Sequence, residues 1–216
     1  MFRIILPGEH HHHAGLLDDM HQMRYRVVVE DWGWKIPGLL PGYDRDRFDT
    51  EATVYVLVES EAGDVRASAR LNPTTQPHMM TELFADYCDL QPIPVGTDVW
   101  ECSRFVLDAR GAADRLETFR LRCRLGIGIT TWCLDQGVTR LSWLTHQAFY
   151  NHVGELFRTE PLGLARRYTD DQAWVAAVSE VDLTALDRQL DRYRRAPELV
   201  AALIAGQTPS GSGRAA

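Results

Sequence analysis

The chain has 216 residues, 45% of them hydrophobic and 25% charged, with 30 acidic against 23 basic side chains and a formal net charge of −7. That composition suits one globular domain with a full core. The acid excess argues against a nucleic-acid partner, whose phosphates need clustered Lys and Arg, and no run reaches the roughly 18 apolar residues of a membrane span, so a cytoplasmic location with no membrane partner is expected.

FRIIL at the N-terminus reads as a strand, and the tract His10–His13 after it as a solvated loop rather than a metal site. Apolar residues at Leu16, Met20, Met23 and Val27 predict a helix from Leu16 to Val29. The segment Glu30 to Thr50, with three glycines and two prolines, reads as a long binding loop, expected to order when ligand binds. TVYVLVES and DVRASARL follow as two strands joined by a hairpin at Glu61-Ala62-Gly63. MMTELFADYC reads as a short helix, DVWECSRFVLD as a strand, and Ala113 to Gln136 as a long helix stopped by Gly137. RLSWLT, a short helix near His146 to Val153, the strand AWVAAVSEV and a helix from Thr184 to about Arg195 complete the pattern. One domain is expected over 1–200 and a flexible tail over 201–216.

Alternating strands and helices predict an α/β chain in three layers, helices on both faces of a central mixed sheet. Cys88, Cys102, Cys123 and Cys133 stand alone in apolar segments without a CxxC pair, as reduced core thiols do. Asp44, Asp46 and Asp49 have the opening spacing of a calcium loop, but Asp49 stands where glycine is needed and Tyr55 where glutamate is needed, so no metal is expected.

Charges recur where a sheet and its neighbouring loop are normally apolar: Arg24 on the first helix, Asp46 and Asp49 in the loop, Arg70 at a strand end, Glu101 and Arg104 in WECSRF. Together with Trp34, Phe84 and Phe105, in this order and spacing, they resemble the signature of the acyl-homoserine-lactone synthases, the autoinducer synthases of bacterial quorum sensing. The motifs are Asp46-Arg47-Phe48-Asp49, Ser68-Ala69-Arg70-Leu71 and Trp100-Glu101-Cys102-Ser103-Arg104-Phe105, and the likeness runs from about residue 16 to 185. Three departures are Val28, where the family usually has an aromatic residue, Asp44, where the acidic residue that often begins the loop is glutamate, and HQAFYNHVGELFR, which lacks the usual arginine-rich helix ending in Gly-Trp.

The resemblance implies the twisted, splayed mixed sheet of the Gcn5-related N-acyltransferases. It also implies two substrates, S-adenosylmethionine and an acyl thioester on acyl carrier protein or coenzyme A, with no separate cofactor. By the same resemblance Glu101 and Arg104 are the candidate catalytic residues, Glu101 as the base that takes the amine proton and Arg104 as a carboxylate clamp. Arg104 has the wrong strand parity for this unless a bulge intervenes. Candidate substrate-binding residues are Arg24, Trp34, Asp46, Asp49, Arg70, Phe84, Phe105 and Thr145. Of the two loop aspartates, one is expected to pair with Arg70 and the other to meet the substrate amine. An N-acyltransferase for another amine and a binding module without chemistry are the alternatives.

Overall fold

The computed structural model describes residues 1–169 and 172–205. In chain order it runs β1 (Phe2–Ile5), α1 (Ala14–Tyr25), β2 (Val54–Glu59), β3 (Val65–Pro73), α2 (Met79–Leu83), β4 (Val99–Leu107), α3 (Arg115–Asp135), β5 (Arg140–His146), α4 (Gln147–Gly154), β6 (Arg158–Pro161), β7 (Arg166–Thr169), β8 (Gln172–Glu180), α5 (Leu183–Arg194) and α6 (Ala196–Ile204). The strands form one mixed sheet in the order β1-β2-β3-β4-β5-β8-β6, with β7 also paired to β8.

Three layers result, as expected. On one face Met20, Met23 and Val27 pack over Tyr55, Leu57 and Val106, and Met80 of α2 covers Ala176. On the other, Leu121, Leu125, Ile129 and Trp132 of α3 pack over Val54, Val56, Ala69 and Leu71, with Ala196 and Val200 of α6 outside them against Phe119. β2, buried nearly throughout, is covered on both faces, which explains its continuous apolar run. Gly128 lets α3 approach the sheet, since a Cβ there would come within 2.8 Å of Val56 Cγ1. Asp114 caps α3 by accepting from the Glu117 amide at 2.8 Å, and Gly137 ends it with a φ of +69°.

Several expectations are corrected. His10–His13 form a 3-10 turn leading into α1, not a loop, and His10 is anchored by Nε2 at 2.9 Å from the Thr53 carbonyl. The first helix ends at Tyr25 and passes into a π-helical turn over Arg26–Asp31. Strands β6 and β7 and helix α6 were not foreseen. The expected tail boundary at residue 200 falls inside α6, and residues 206–216 of that tail lie outside the described residues. Among the described residues no helix is long and apolar enough to cross a membrane.

The feature that positions the site is a split between β4 and β5. These parallel strands pair only at Val99 with Arg140, Trp100 with Leu141 and Glu101 with Ser142. Beyond Glu101 they diverge, leaving a wedge whose inner edges carry backbone groups without a neighbouring strand.

Candidate active site

Glu101 stands where the wedge opens. Its carboxylate is buried and accepts two backbone hydrogen bonds from α2, Met79 N–H to Oε1 at 3.2 Å and Met80 N–H to Oε2 at 2.6 Å. Burial pushes its pKa above the ordinary glutamate value, against the opposing pull of the Met80 amide, His78 and Arg70. A raised pKa brings a carboxylate closer to the range in which it exchanges protons at neutral pH.

The parity problem at Arg104 is resolved by a β-bulge. The register shifts so that Arg70 pairs with Ser103 and Ser68 with Val106, which sets Arg104 and Phe105 opposite Ala69 alone. Arg104 takes a φ of +50°, a conformation that side chains other than glycine rarely adopt. The turn swings its guanidinium to the Glu101 face and leaves Phe105 on the α3 face, against the Phe149 ring at 5.4 Å.

There Arg104 joins a closed ring of alternating charge. Arg24 Nε meets Asp44 at 3.1 Å; Asp44 accepts from Arg104 Nε at 2.9 Å; Arg104 Nη2 reaches Asp46 at 2.9 Å. Asp46 accepts from Arg70 Nη1 at 2.6 Å, Arg70 Nη1 also reaches Asp49 at 3.0 Å, and Asp49 accepts from Arg24 Nη1 at 2.9 Å. Tyr55 Oη donates to Asp49 at 3.0 Å and Arg70 Nε to Ser103 Oγ at 3.0 Å. Three guanidinium and three carboxylate groups cancel, which makes such burial tolerable. Burial alone pushes the Asp49 carboxyl up, but Arg24 and Arg70 hold it far below the usual carboxylate range. At Arg104 the balance goes the other way: burial and Arg70 lower its pKa despite Asp44 and Asp46. Its Nη1 has no partner among the described residues.

A cavity of about 1030 Å³ runs through the wedge. Of the candidate residues, Trp34, Phe84, Glu101, Arg104, Phe105 and Thr145 line it. Arg24, Asp46, Asp49 and Arg70 do not; they form the ring behind its wall. Both loop aspartates pair with Arg70, where only one was expected to. The pairing of Thr145 with Val175, in register with Leu141 and Ser179, puts it on the α3 face, across the sheet from Glu101. Trp34 packs against Trp174 with ring centroids 5.3 Å apart. Asp44, two of whose bonds hold Arg104, was not among the expected site residues; in sequence it marks only the acidic position that opens the loop.

All four cysteines are free. Cys102 and Cys123 line the cavity, but burial pushes their thiols up to about 12 and about 11, so they are neutral and inert. Among the described residues no three His, Cys, Asp or Glu side chains converge as a metal site.

A sheet that splits at a buried carboxylate and admits a cavity through the gap defines an N-acyltransferase fold. FeeM, an N-acyl amino acid synthase from uncultured soil microbes, shares it at 14% identity with a TM-score of 0.54, over 85% of this chain and 97% of its own. More similar is BjaI, a CoA-dependent acyl-homoserine lactone synthase solved with SAM and isopentyl-CoA, at 27% identity and a TM-score of 0.78 over 90% of this chain and 89% of its own. In sequence, the isovaleryl-homoserine lactone synthase of Bradyrhizobium diazoefficiens is 30% identical over 196 residues, 89% of this chain and 85% of that one. The autoinducer synthase family model matches residues 9–151. The chain belongs to the autoinducer synthase family, and is by that membership an acyl-homoserine-lactone synthase, an acyltransferase.

Proposed function

We propose that the wedge is where the amine of S-adenosylmethionine, a substrate and not a cofactor, is acylated and the product closed to a lactone in the cytoplasm, the chain from 1 to about 204 acting as a single domain. The observation that carries this reading is that Glu101 and the free Nη1 of Arg104 face one cavity at the point where the sheet splits. S-adenosylmethionine lies on the α1 face, its adenosyl group against Trp34 and its carboxylate accepting one charge-assisted hydrogen bond from Arg104 Nη1. Arg24, Asp46, Asp49 and Arg70 act through Arg104, holding it and the loop in place. Phe84 lines the same side, while Phe105 and Thr145 line the acyl side.

The acyl thioester, on acyl carrier protein or coenzyme A, comes from the α3 face. Its carbonyl oxygen is met by backbone N–H groups of β4 past Glu101, which the split has freed from strand pairing. An ordinary α-amine with a pKa of about 7.7–8.0 is mostly charged at pH 7. Glu101, directly or through one water, takes its proton; the neutral nitrogen adds to the carbonyl, and as the adduct collapses the thiolate leaves and takes up the second proton that the nitrogen gives up in becoming an amide. Both Glu101 oxygens keep a second lone pair beyond the ones bound by the α2 amides. The methionine carboxylate then attacks the carbon next to the sulfonium, closing the ring and expelling methylthioadenosine.

The test is to incubate the protein with S-adenosylmethionine and a series of acyl-CoA and acyl-carrier-protein donors and identify products by mass spectrometry. Lactone and methylthioadenosine in equal amounts are expected. An acylated amine without methylthioadenosine would replace this reading with an N-acyltransferase for another amine.

A further inference from the structure

The α3 side of the cavity is walled by Phe105, Ile129, Trp143 and Phe149, but where α3 meets α5 it is not apolar. Arg122 of α3 lines it there, with neither an ion pair nor a hydrogen bond to any described residue, and its Nε is buried without a partner. Burial pulls its pKa below the ordinary arginine value, and nearby Arg192 adds to the effect. Arg192, which also lines the cavity, is held by Nη1 at 2.9 Å from Glu155 and Nη2 at 3.0 Å from His152 Nδ1, with its Nε buried and unpartnered.

Gln189, one turn back from Arg192 on the same face of α5, is 2% exposed. Its amide donates to Thr130 Oγ1 at 2.7 Å, while the other end is buried and unpartnered, resting where a Cβ on Gly126 would come within 2.8 Å. Whichever way the amide is turned, the Thr130 hydroxyl serves one end and the other is left over. Gly126 is one turn from Arg122 on α3, and Arg122, Gly126 and Gln189 line one end of the chamber together with Arg192 and His152. A half-buried guanidinium whose Nε has no partner and a buried amide end left over are costly, and a ligand oxygen would satisfy both.

We propose that Arg122 and Gln189 form a specificity subsite for the acyl group, and that the acyl chain this enzyme transfers carries an oxygen substituent at its far end, a hydroxyl or carboxylate that accepts from Arg122 and meets the free end of Gln189. This rests on the lactone-synthase reading of the cavity and names its donor class. Glu101 projects from the opposite face of the sheet, so the subsite lies about one layer spacing away, on the order of 10 Å. That separation suits a medium-length chain or an arylalkanoyl group and is beyond short branched acyl groups.

The experiment measures kcat/KM for lactone formation with matched donors: octanoyl against ω-hydroxyoctanoyl and the ω-carboxylate, and phenylpropanoyl against its para-hydroxy counterpart. The wild-type protein is expected to favour an oxygenated member by roughly tenfold or more, because a site with unpaired polar groups rejects the analogue that leaves them unpaired. Arg122→Met should bring that ratio close to one, and Gln189→Leu should lower it. A wild-type protein that uses the plain donors as well or better overturns the proposal, as does an Arg122→Met loss equal for both members of a pair, which would place Arg122 on the carrier arm. Should Arg122→Met fail to fold, the wild-type ratio and Gln189→Leu decide. Lactone from plain donors without preference sinks this inference alone, whereas no lactone from any donor sinks the proposed function with it.

Discussion

At the scale of single residues, the two Glu101 oxygens each hold a backbone amide of α2. Glu101→Gln therefore has two consequences. Losing the base should slow N-acylation by roughly 10²–10⁴, partly recovered toward pH 9 where more of the amine is already neutral. A glutamine also has one acceptor oxygen for two N–H groups, so one buried amide is left unmet, at about 1–3 kcal/mol of stability. The expected variant is slow and melts earlier; single-turnover acylation against pH, with calorimetry alongside, checks both, and wild-type acylation at pH 7 would remove Glu101 as the base. Glu101 was legible in WECSRF as a charge out of place on a strand. The way Arg104 faces was not, because period-two alternation assigns it to the wrong side and only the bulge corrects it.

Among the elements, the acidic loop is fixed to the sheet by the charge ring rather than by apolar packing. Arg70 and Asp49 have fully buried side chains, so Arg70→Ala strands two aspartates and should cost about 3–5 kcal/mol. Arg3→Ala, which breaks an exposed pair with Glu59, should cost at most about 1 kcal/mol. Denaturant unfolding of the two variants makes the comparison, and equal losses would contradict a buried ring. The same anchoring divides the loop expected to order on ligand binding. Residues from Tyr43 to Thr50 are tied down, with the Asp44 amide donating to the His21 carbonyl at 3.1 Å, whereas the stretch around Gly33 to Gly42 has few ties. Protease cutting without ligand should fall in the second part and slow on adding S-adenosylmethionine; cutting after Arg45 or Arg47 at the same rate would count against the ring as anchor. Long periodic elements such as α3 and the β2-β3 hairpin were readable because one buried face wrote its period into the sequence. β6 (RTEP) and β7 were not, being four-residue edge strands rich in charge whose pairing with β8 leaves no apolar alternation to detect.

For the molecule as a whole, the buried His21 and the half-buried His152 shape its response to acid. Burial holds the pKa of His21 down, with Arg24 adding to this, and its Nδ1 donates to the Asp44 carbonyl at 2.8 Å; burial, Arg192 and Arg122 hold His152 down to about 4. A histidine whose folded pKa lies below the ordinary value of about 6.5 costs stability as pH falls through that value, since the unfolded chain then takes up protons the native state refuses. Asp44 and Asp49, depressed in the folded state, contribute stability above about pH 4 and lose it below. Glu101, whose pKa is raised, costs stability as pH rises and so works against the histidines, a contribution that Glu101→Gln removes. In Glu101→Gln the melting temperature should decline below about pH 6.5 and fall steeply below about 4; a curve flat from pH 7 to 5 would show that these histidines are not held neutral. The layered architecture was legible from element order, but the split between β4 and β5 was available only through family likeness, because no local pattern records where two parallel strands part. That split is central to the proposed function, in which amine and base lie on one face of the sheet and the acyl group on the other. The most direct test is a crystal structure of the protein with S-adenosylmethionine and a non-hydrolysable acyl-thioester analogue. The account predicts the methionine amine on the α1 face within hydrogen-bond reach of Glu101 or of one bridging water, its carboxylate on Arg104 Nη1, and the acyl chain passing the wedge toward Phe149 on the α3 face. Both ligands on one face of the sheet, or an amine remote from Glu101, would contradict it.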